Sequence, residues 1–253
     1  ERVLREYELA DYITVASNLQ RESLTRNGVP ATKILFAPLG VDASRFSPAE
    51  RRERKAGDKF RIIQVGQVAP LKGFRYLLDA LVKLDDSDIE VTLFGGIGWR
   101  SIRSLIAAYE RQGVNVRTAC GDPVPALQNA HLCVHATLSD GFGIAPLEAM
   151  AMEVPTVVTT ATGMKDLITS GMNGIVVPPR NPEAIAQCIS EMKYNELKRQ
   201  SIAKAGRSTA VQSGFFKRVA EYAHVLTPIW NGSGQRGSDA CKAVFSVGEY
   251  PHH

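Results

Sequence analysis

The chain has 253 residues, 44% of them hydrophobic and 22% charged, which is the usage of a globular protein with one large or two small domains. Thirty Lys and Arg against 26 Asp and Glu leave a net charge of +4, too diffuse to make nucleic acid the default partner. The longest uncharged stretch, Pro123 to Ser139, holds Gln128, Asn129 and two histidines, so it does not read as a membrane span. Cys120, Cys133, Cys188 and Cys241 lie far apart, which argues against a disulfide framework or zinc site and fits a reducing compartment.

The elements follow one rhythm. Glu1 already lies inside a helical pattern, with no initiator Met, as expected of a piece of a longer protein. Ile13 to Ala16 reads as a strand, and Ser17-Asn18-Leu19-Gln20 as a capping box that opens a helix ending near Asn27-Gly28. Ile34 to Ala37 is the next strand. Pro48 to Lys59, with Arg51, Arg52, Arg54 and Lys55, reads as a linker.

From there apolar strand runs alternate with helices. The strands are Phe60 to Val65, Ile89 to Phe94, Val114 to Ala119, His131 to Ala136, Thr156 to Thr160 and Ile175 to Val177. Phe74, Leu77, Leu78 and Leu81 mark one helix face, and Ile102, Leu105, Ile106 and Tyr109 another. Ile144 to Met152 and Pro182 to Met192 are further helices. Strands without polar alternation, separated by amphipathic helices, predict a doubly wound parallel α/β sheet with helices on both faces. Glu191 to Trp230 reads as helical throughout and 231–253 as a loose tail. The domain reading is 1–48 as the end of a preceding domain, 49–212 as the α/β domain, and 213–230 as a closing helix.

Ligands of such sheets bind beyond the carboxyl ends of the strands. Three loops there are unusual. In Val65-Gly66-Gln67-Val68-Ala69-Pro70-Leu71-Lys72-Gly73, a lysine beside a helix start suits an anion, although a solvated lysine is the plain alternative. Phe94-Gly95-Gly96-Ile97-Gly98 misses the dinucleotide fingerprint at Ser101, so its glycines are expected simply to make a turn. In Ser139-Asp140-Gly141-Phe142-Gly143-Ile144-Ala145-Pro146-Leu147-Glu148, two carboxylates bracket a turn and Pro146 opens a helix. Asp140 and Glu148 can face one pocket with the amides of Gly141 to Ile144. Taken singly, they could equally be a helix cap and an exposed acid.

These residues resemble the retaining glycosyltransferases of family 4, which have the two-domain GT-B fold. The Asp140 to Glu148 spacing matches the family's acid–seven residues–acid motif, and Val65-Gly66 through Lys72-Gly73 its phosphate loop. Glu8-Leu9-Ala10-Asp11-Tyr12-Ile13 with Ser17, and Pro38-Leu39-Gly40-Val41-Asp42 with Phe46 and Pro48, match its exit from the first domain and its hinge. Pro155-Thr156-Val157-Val158, Gly163, Asn173-Gly174 and Val177-Pro178 match its downstream core, so the resemblance runs from Glu1 to Trp230.

The resemblance implies a Rossmann-like donor-binding half with the end of the acceptor domain attached. It implies that Lys72 neutralises a departing diphosphate, that Asp140 holds hydroxyls of the transferred sugar and that Glu148 accepts from the ribose. Gly66 and Gln67 would lie in the phosphate loop, and Gly141, Phe142, Gly143 and Ile144 would bring amides to the sugar and phosphate. Gly121, Pro123 and Val124 would border the base. The donor would be a UDP-, GDP- or ADP-sugar and the acceptor a glycan, lipid or small molecule, with no metal or other cofactor. Two residues depart from the pattern: Asp140 stands for the usual Glu, and Gln67 for a frequent arginine.

Other readings share the fold: a nucleotide-sugar epimerase or phosphorylase, a non-catalytic binding module and, most weakly, a dinucleotide-dependent oxidoreductase. Asp86-Ser87-Asp88 precedes a strand and reads as a solvated turn, His131 and His135 as core or pocket-edge residues, and Cys133 as core. The expected location is the cytoplasm. The Arg51 to Lys55 run leaves open a contact with acidic lipid headgroups at the inner membrane face, with a solvated loop as the plainer reading.

Overall fold

The computed structural model describes residues 2–48, 57–214, 217–223, 226–227 and 243–245. The first lobe comprises helix α1 (Arg2–Leu9), strand β1 (Tyr12–Val15), helix α2 (Asn18–Arg26) and strand β2 (Ile34–Phe36), with β1 and β2 parallel. The capping box is present in altered form. Ser17 Oγ accepts the Gln20 amide at 3.2 Å, while Gln20 Oε1 reaches one residue further back, to the amide of Ala16 at 2.8 Å. Ala10, Ile13, Val15, Leu24 and Val29 form a small core of their own.

The main domain runs β3 (Phe60–Val65), α3 (Phe74–Leu84), β4 (Ile89–Phe94), α4 (Arg100–Glu110), β5 (Asn115–Ala119), α5 (Val124–Gln128), β6 (Leu132–His135), α6 (Ile144–Ala151), β7 (Thr156–Thr159), β8 (Ile175–Val177), α7 (Pro182–Tyr194) and α8 (Glu196–Gln212). All six strands are parallel, in the order β5-β4-β3-β6-β7-β8. The chain builds outward from β3 to one edge, then crosses back to place β6 beside β3. That reversal is the switch point at which open α/β sheets hold ligands.

Successive strand residues explain the two covered faces. Ile62, Val134 and Val157 point into a core with Leu77, Leu78, Ile106 and Ile189. Their neighbours Ile63, Cys133 and Val158 point the other way, to Leu147, Met150 and Met164. A strand apolar at every position is what a sheet buried on both sides requires. Val41 and Phe46, from the segment after β2, join this second core.

Three details differ from the sequence reading. Helix α5 was not expected; it begins after Pro123, where Asp122 Oδ1 accepts the Val124 amide at 3.2 Å. The helical run after Glu191 breaks at Asn195, which leaves helical geometry (φ −109°, ψ 84°) and caps α8 by accepting the Lys198 amide at 3.0 Å. Asp86 is no freely solvated turn residue: it takes the buried Lys193 ammonium at 2.5 Å.

The positions 217–223 are helical, and the Tyr222 hydroxyl lies 2.7 and 2.6 Å from the carbonyl oxygens of Ala37 and Pro38, tying this helical segment to the one leaving β2. Of the tail 231–253, the strand β9 (Ala243–Phe245) is described, paired in parallel with β1. The Arg51 to Lys55 run lies outside the described residues.

Candidate functional site

Two loops meet at the switch point. The loop after β3 is held from below and from the side. The amide of Gly66 bonds Phe94 O at 2.9 Å and that of Val68 bonds Gly96 O at 3.0 Å. A short turn of 3-10 helix, Pro70–Lys72, then closes on Gly73, whose φ of +67° suits glycine. A side chain there would also collide, since a Cβ on Gly73 would stand 1.9 Å from Ala136 O. The close approach lets the next loop stitch on: the amide of Leu138 bonds Leu71 O at 2.8 Å, and Thr137 Oγ1 lies 3.2 Å from the same oxygen. Gln64, buried in β3, donates its side-chain amide to Lys72 O at 2.8 Å. Lys72 thus leaves a backbone fixed on three sides.

The loop after β6 is equally fixed. The amide of Asp140 bonds Ala161 O at 3.0 Å, and the amide of Gly163 bonds Asp140 O at 3.2 Å. Thr162 Oγ1 donates to Phe142 O at 2.8 Å, and Ser17 Oγ, from the first lobe, donates to Gly141 O at 2.5 Å. Gly143 turns the chain into α6 with no side-chain cap, so the first amides of that helix keep their donor capacity. Of the acid loop's side chains, Phe142 is buried in the core, leaving only its backbone to the site.

Lys72 Nζ stands 2.7 Å from Asp140 Oδ2, and His135 Nε2 stands 3.1 Å from the same oxygen. Burial alone would raise the Asp140 carboxyl; the His135 imidazole and then Lys72 outweigh it and hold it well below the ordinary carboxylate range. Glu148, in the second turn of α6, is shifted the other way: burial raises it, and the Arg45 guanidinium only partly offsets that. One switch-point acid is therefore held ionised and the other is biased toward its neutral form.

Direct contact joins Lys72, Asp140 and His135. Glu148 is linked electrostatically to Arg45, and Arg45 Nη2 pairs with Asp122 Oδ1 at 3.1 Å, in the loop that contains Gly121, Pro123 and Val124. In the loop after β3, Gly66 is half-buried and Gln67 is exposed, and among the described residues neither hydrogen-bonds to these groups. His135, Arg45, Gln64, Ser17 and Thr162 are contributors that the motifs did not single out. His135 had a local signal, a histidine at a strand end five residues before Asp140; the others depend on contacts made far along the chain.

Residues 46–209 match the family model described as Glycosyl transferases group 1. The chain belongs to that family. This group 1 chain is 26% identical over 214 residues to the D-inositol 3-phosphate glycosyltransferase of Paenarthrobacter aurescens, covering 79% of this chain and 52% of that protein. It spans about half the length of the curated relatives it matches. Among solved structures, the sucrose-phosphate synthase of Thermosynechococcus elongatus superposes with a TM-score of 0.81 at 20% identity, covering 92% of this chain and 62% of that one. Anabaena Alr3699/HepE, crystallised with UDP and glucose, superposes with a TM-score of 0.77 at 19% identity, covering 87% and 64%. The group 1 chain thus has the α/β fold of one half of a GT-B glycosyltransferase.

Proposed function

We propose that this chain is the donor-binding half of a retaining, metal-independent glycosyltransferase of family 4, which moves a hexose from a nucleotide-sugar to a glycan, lipid or small acceptor. The observation that carries the reading is the Lys72–Asp140 pair at the switch point, with a buried acid in the adjoining helix. Breaking an anomeric bond builds negative charge on the departing diphosphate. A cation and amide donors fixed in advance stabilise that charge without reorganising. Lys72 and the first amides of α6 are such donors.

In this reading the acceptor hydroxyl attacks from the face the diphosphate leaves, and its proton passes to a leaving phosphate oxygen. Asp140 accepts from hydroxyls of the sugar, Glu148 from the ribose, and the loop Gly121 to Val124 borders the base. Arg45 links that loop to Glu148. UDP is the first nucleotide to test, because the Anabaena neighbour was crystallised with it. The cysteines Cys120, Cys133 and Cys188 are free thiols, which supports a cytoplasmic setting. Among the described residues no helix is long and apolar enough to cross a membrane.

The test is calorimetric titration of this chain with UDP, GDP, ADP and their sugar conjugates, repeated on Lys72→Ala. Saturable binding of one nucleotide, lost in the variant, supports the donor site and names the base. Binding of none of them, or binding indifferent to Lys72, overturns it.

A further inference from the structure

Lys72 and His135 reach the same carboxylate oxygen, yet they differ in what else can reach them. The Lys72 side chain is 30% exposed at the mouth of the site, whereas the His135 side chain is only 4% exposed beneath it. An arriving diphosphate therefore meets Lys72 and not His135. If the donor reading above holds, Lys72 must trade Asp140 for phosphate oxygens. That would strand a carboxylate only 16% exposed, and an uncompensated buried charge is strongly disfavoured.

His135 is placed to prevent this. It ends β6, opposite Val158 of β7 in the sheet. Its Nε2 lies under the acid loop, 3.5 Å from where a Cβ on Gly143 would be, a spot shared with Thr162 Oγ1 and Met164 Cγ. The groups that share that spot with it, Thr162 and Met164 of the 3-10 turn at Gly163, are uncharged. The charges facing it are those of Asp140 and Lys72, while the Glu148 carboxyl on α6 feels Arg45. We infer that His135 is a positioning residue: it keeps the Asp140 carboxylate ionised and aimed when Lys72 turns to the donor diphosphate. The histidine does not touch the diphosphate; it makes Lys72 available to it.

The test uses whichever of UDP, GDP or ADP the unaltered chain binds most tightly, titrated by calorimetry. His135→Leu keeps the site filled but removes the donor, and weakens nucleotide binding about tenfold. His135→Gln places an amide N–H near the Nε2 position and returns affinity to within about twofold of the unaltered chain. Combining His135→Leu with Asp140→Asn leaves no charge to strand, so the double variant binds as tightly as Asp140→Asn alone. A histidine needed only for packing would show neither recovery. Should leucine not fold in place of the ring, His135→Asn, whose amide falls short of Asp140, must give the same loss as leucine. Full affinity in the variant lacking the donor, or a loss that persists when Asp140 is neutralised, overturns the inference while leaving the donor site standing. Failure of the unaltered chain to bind any nucleotide overturns both.

Discussion

Two lysine–aspartate pairs sit at opposite ends of the strands of the same parallel sheet. Asp86, before β4, meets Lys193 of α7 at 2.5 Å; Asp140, after β6, meets Lys72 of the β3 loop at 2.7 Å. Their distances are alike and their cations are not. The Lys193 ammonium is sealed, lying against the Tyr194 ring with Asp88 as a second acid 3.9 Å away. The Lys72 ammonium reaches water, and its carboxylate is the buried partner. A sealed cation cannot change partners, so the first pair serves only to join α7 to the turn before β4. An accessible cation over a buried anion can be drawn away, which is what a binding site needs.

The comparison can be broken from either side. Lys193→Ala takes the cation from Asp86, which keeps the Asp88 amide and the Tyr194 hydroxyl, and opens a cavity, so it should cost about 2 kcal/mol in denaturant unfolding and leave nucleotide affinity unchanged. An affinity that fell with stability would erase the distinction. Lys72→Ala should do the reverse: in the full-length enzyme, transfer slows by roughly 100- to 1,000-fold, or about 2.7–4 kcal/mol of barrier. Its unfolding midpoint should stay close to that of the unaltered protein. A smaller effect is expected where the first lobe touches the acid loop. Ser17→Ala removes both the cap of α2 and the bond to Gly141 O, and should lower stability by about 1 kcal/mol in thermal unfolding.

The two switch-point acids sharpen the contrast through pH. The Asp140 carboxyl is depressed, so the stability it adds is present above the ordinary aspartate range near ~4 and is lost as pH falls below it. Asp140→Asn should flatten the acid limb of the stability profile. Glu148 has the opposite sign: its raised carboxyl favours the folded state at low pH, and that contribution is lost as pH rises through its shifted value. Glu148→Gln should therefore leave stability at pH 7 unchanged or raise it by less than ~1 kcal/mol. A clear loss on that substitution would mean that Arg45 stabilises the Glu148 carboxylate by more than burial opposes it.

What the sequence made legible follows from locality. The central strands stood out because Ile62-Ile63 and Leu132 to Val134 are apolar at consecutive positions, as burial on both faces demands. The acid loop and the lysine loop could be read as single segments. The five residues of α5 are too few to show a helical period, and the break at Asn195 looks like any polar residue on a helix until its cap is seen. Lys193 and Asp86 are 107 positions apart and Arg45 and Asp122 are 77 apart, separations that no local pattern reports. His135 was visible as a residue but not as a partner, because whether a strand-end histidine meets Asp140 depends on how the loop 136–139 is held, by the amide of Leu138 on Leu71 O and that of Asp140 on Ala161 O.

The crossing from β5 back to β6 passes through the exposed residues Cys120, Gly121 and Asp122. A nick there would divide the main domain into two fragments, one carrying Lys72 and the other His135, Asp140 and Glu148. The fragments meet along the seam where β3 lies beside β6, with Ile62 opposite Leu132 and Ile63 opposite Cys133. Neither fragment holds a complete site, so a nucleotide that grips the joined form would pull the halves together by mass action. Complementation between the two fragments would then rise with nucleotide concentration, turning occupancy of the site into a signal of reassembly.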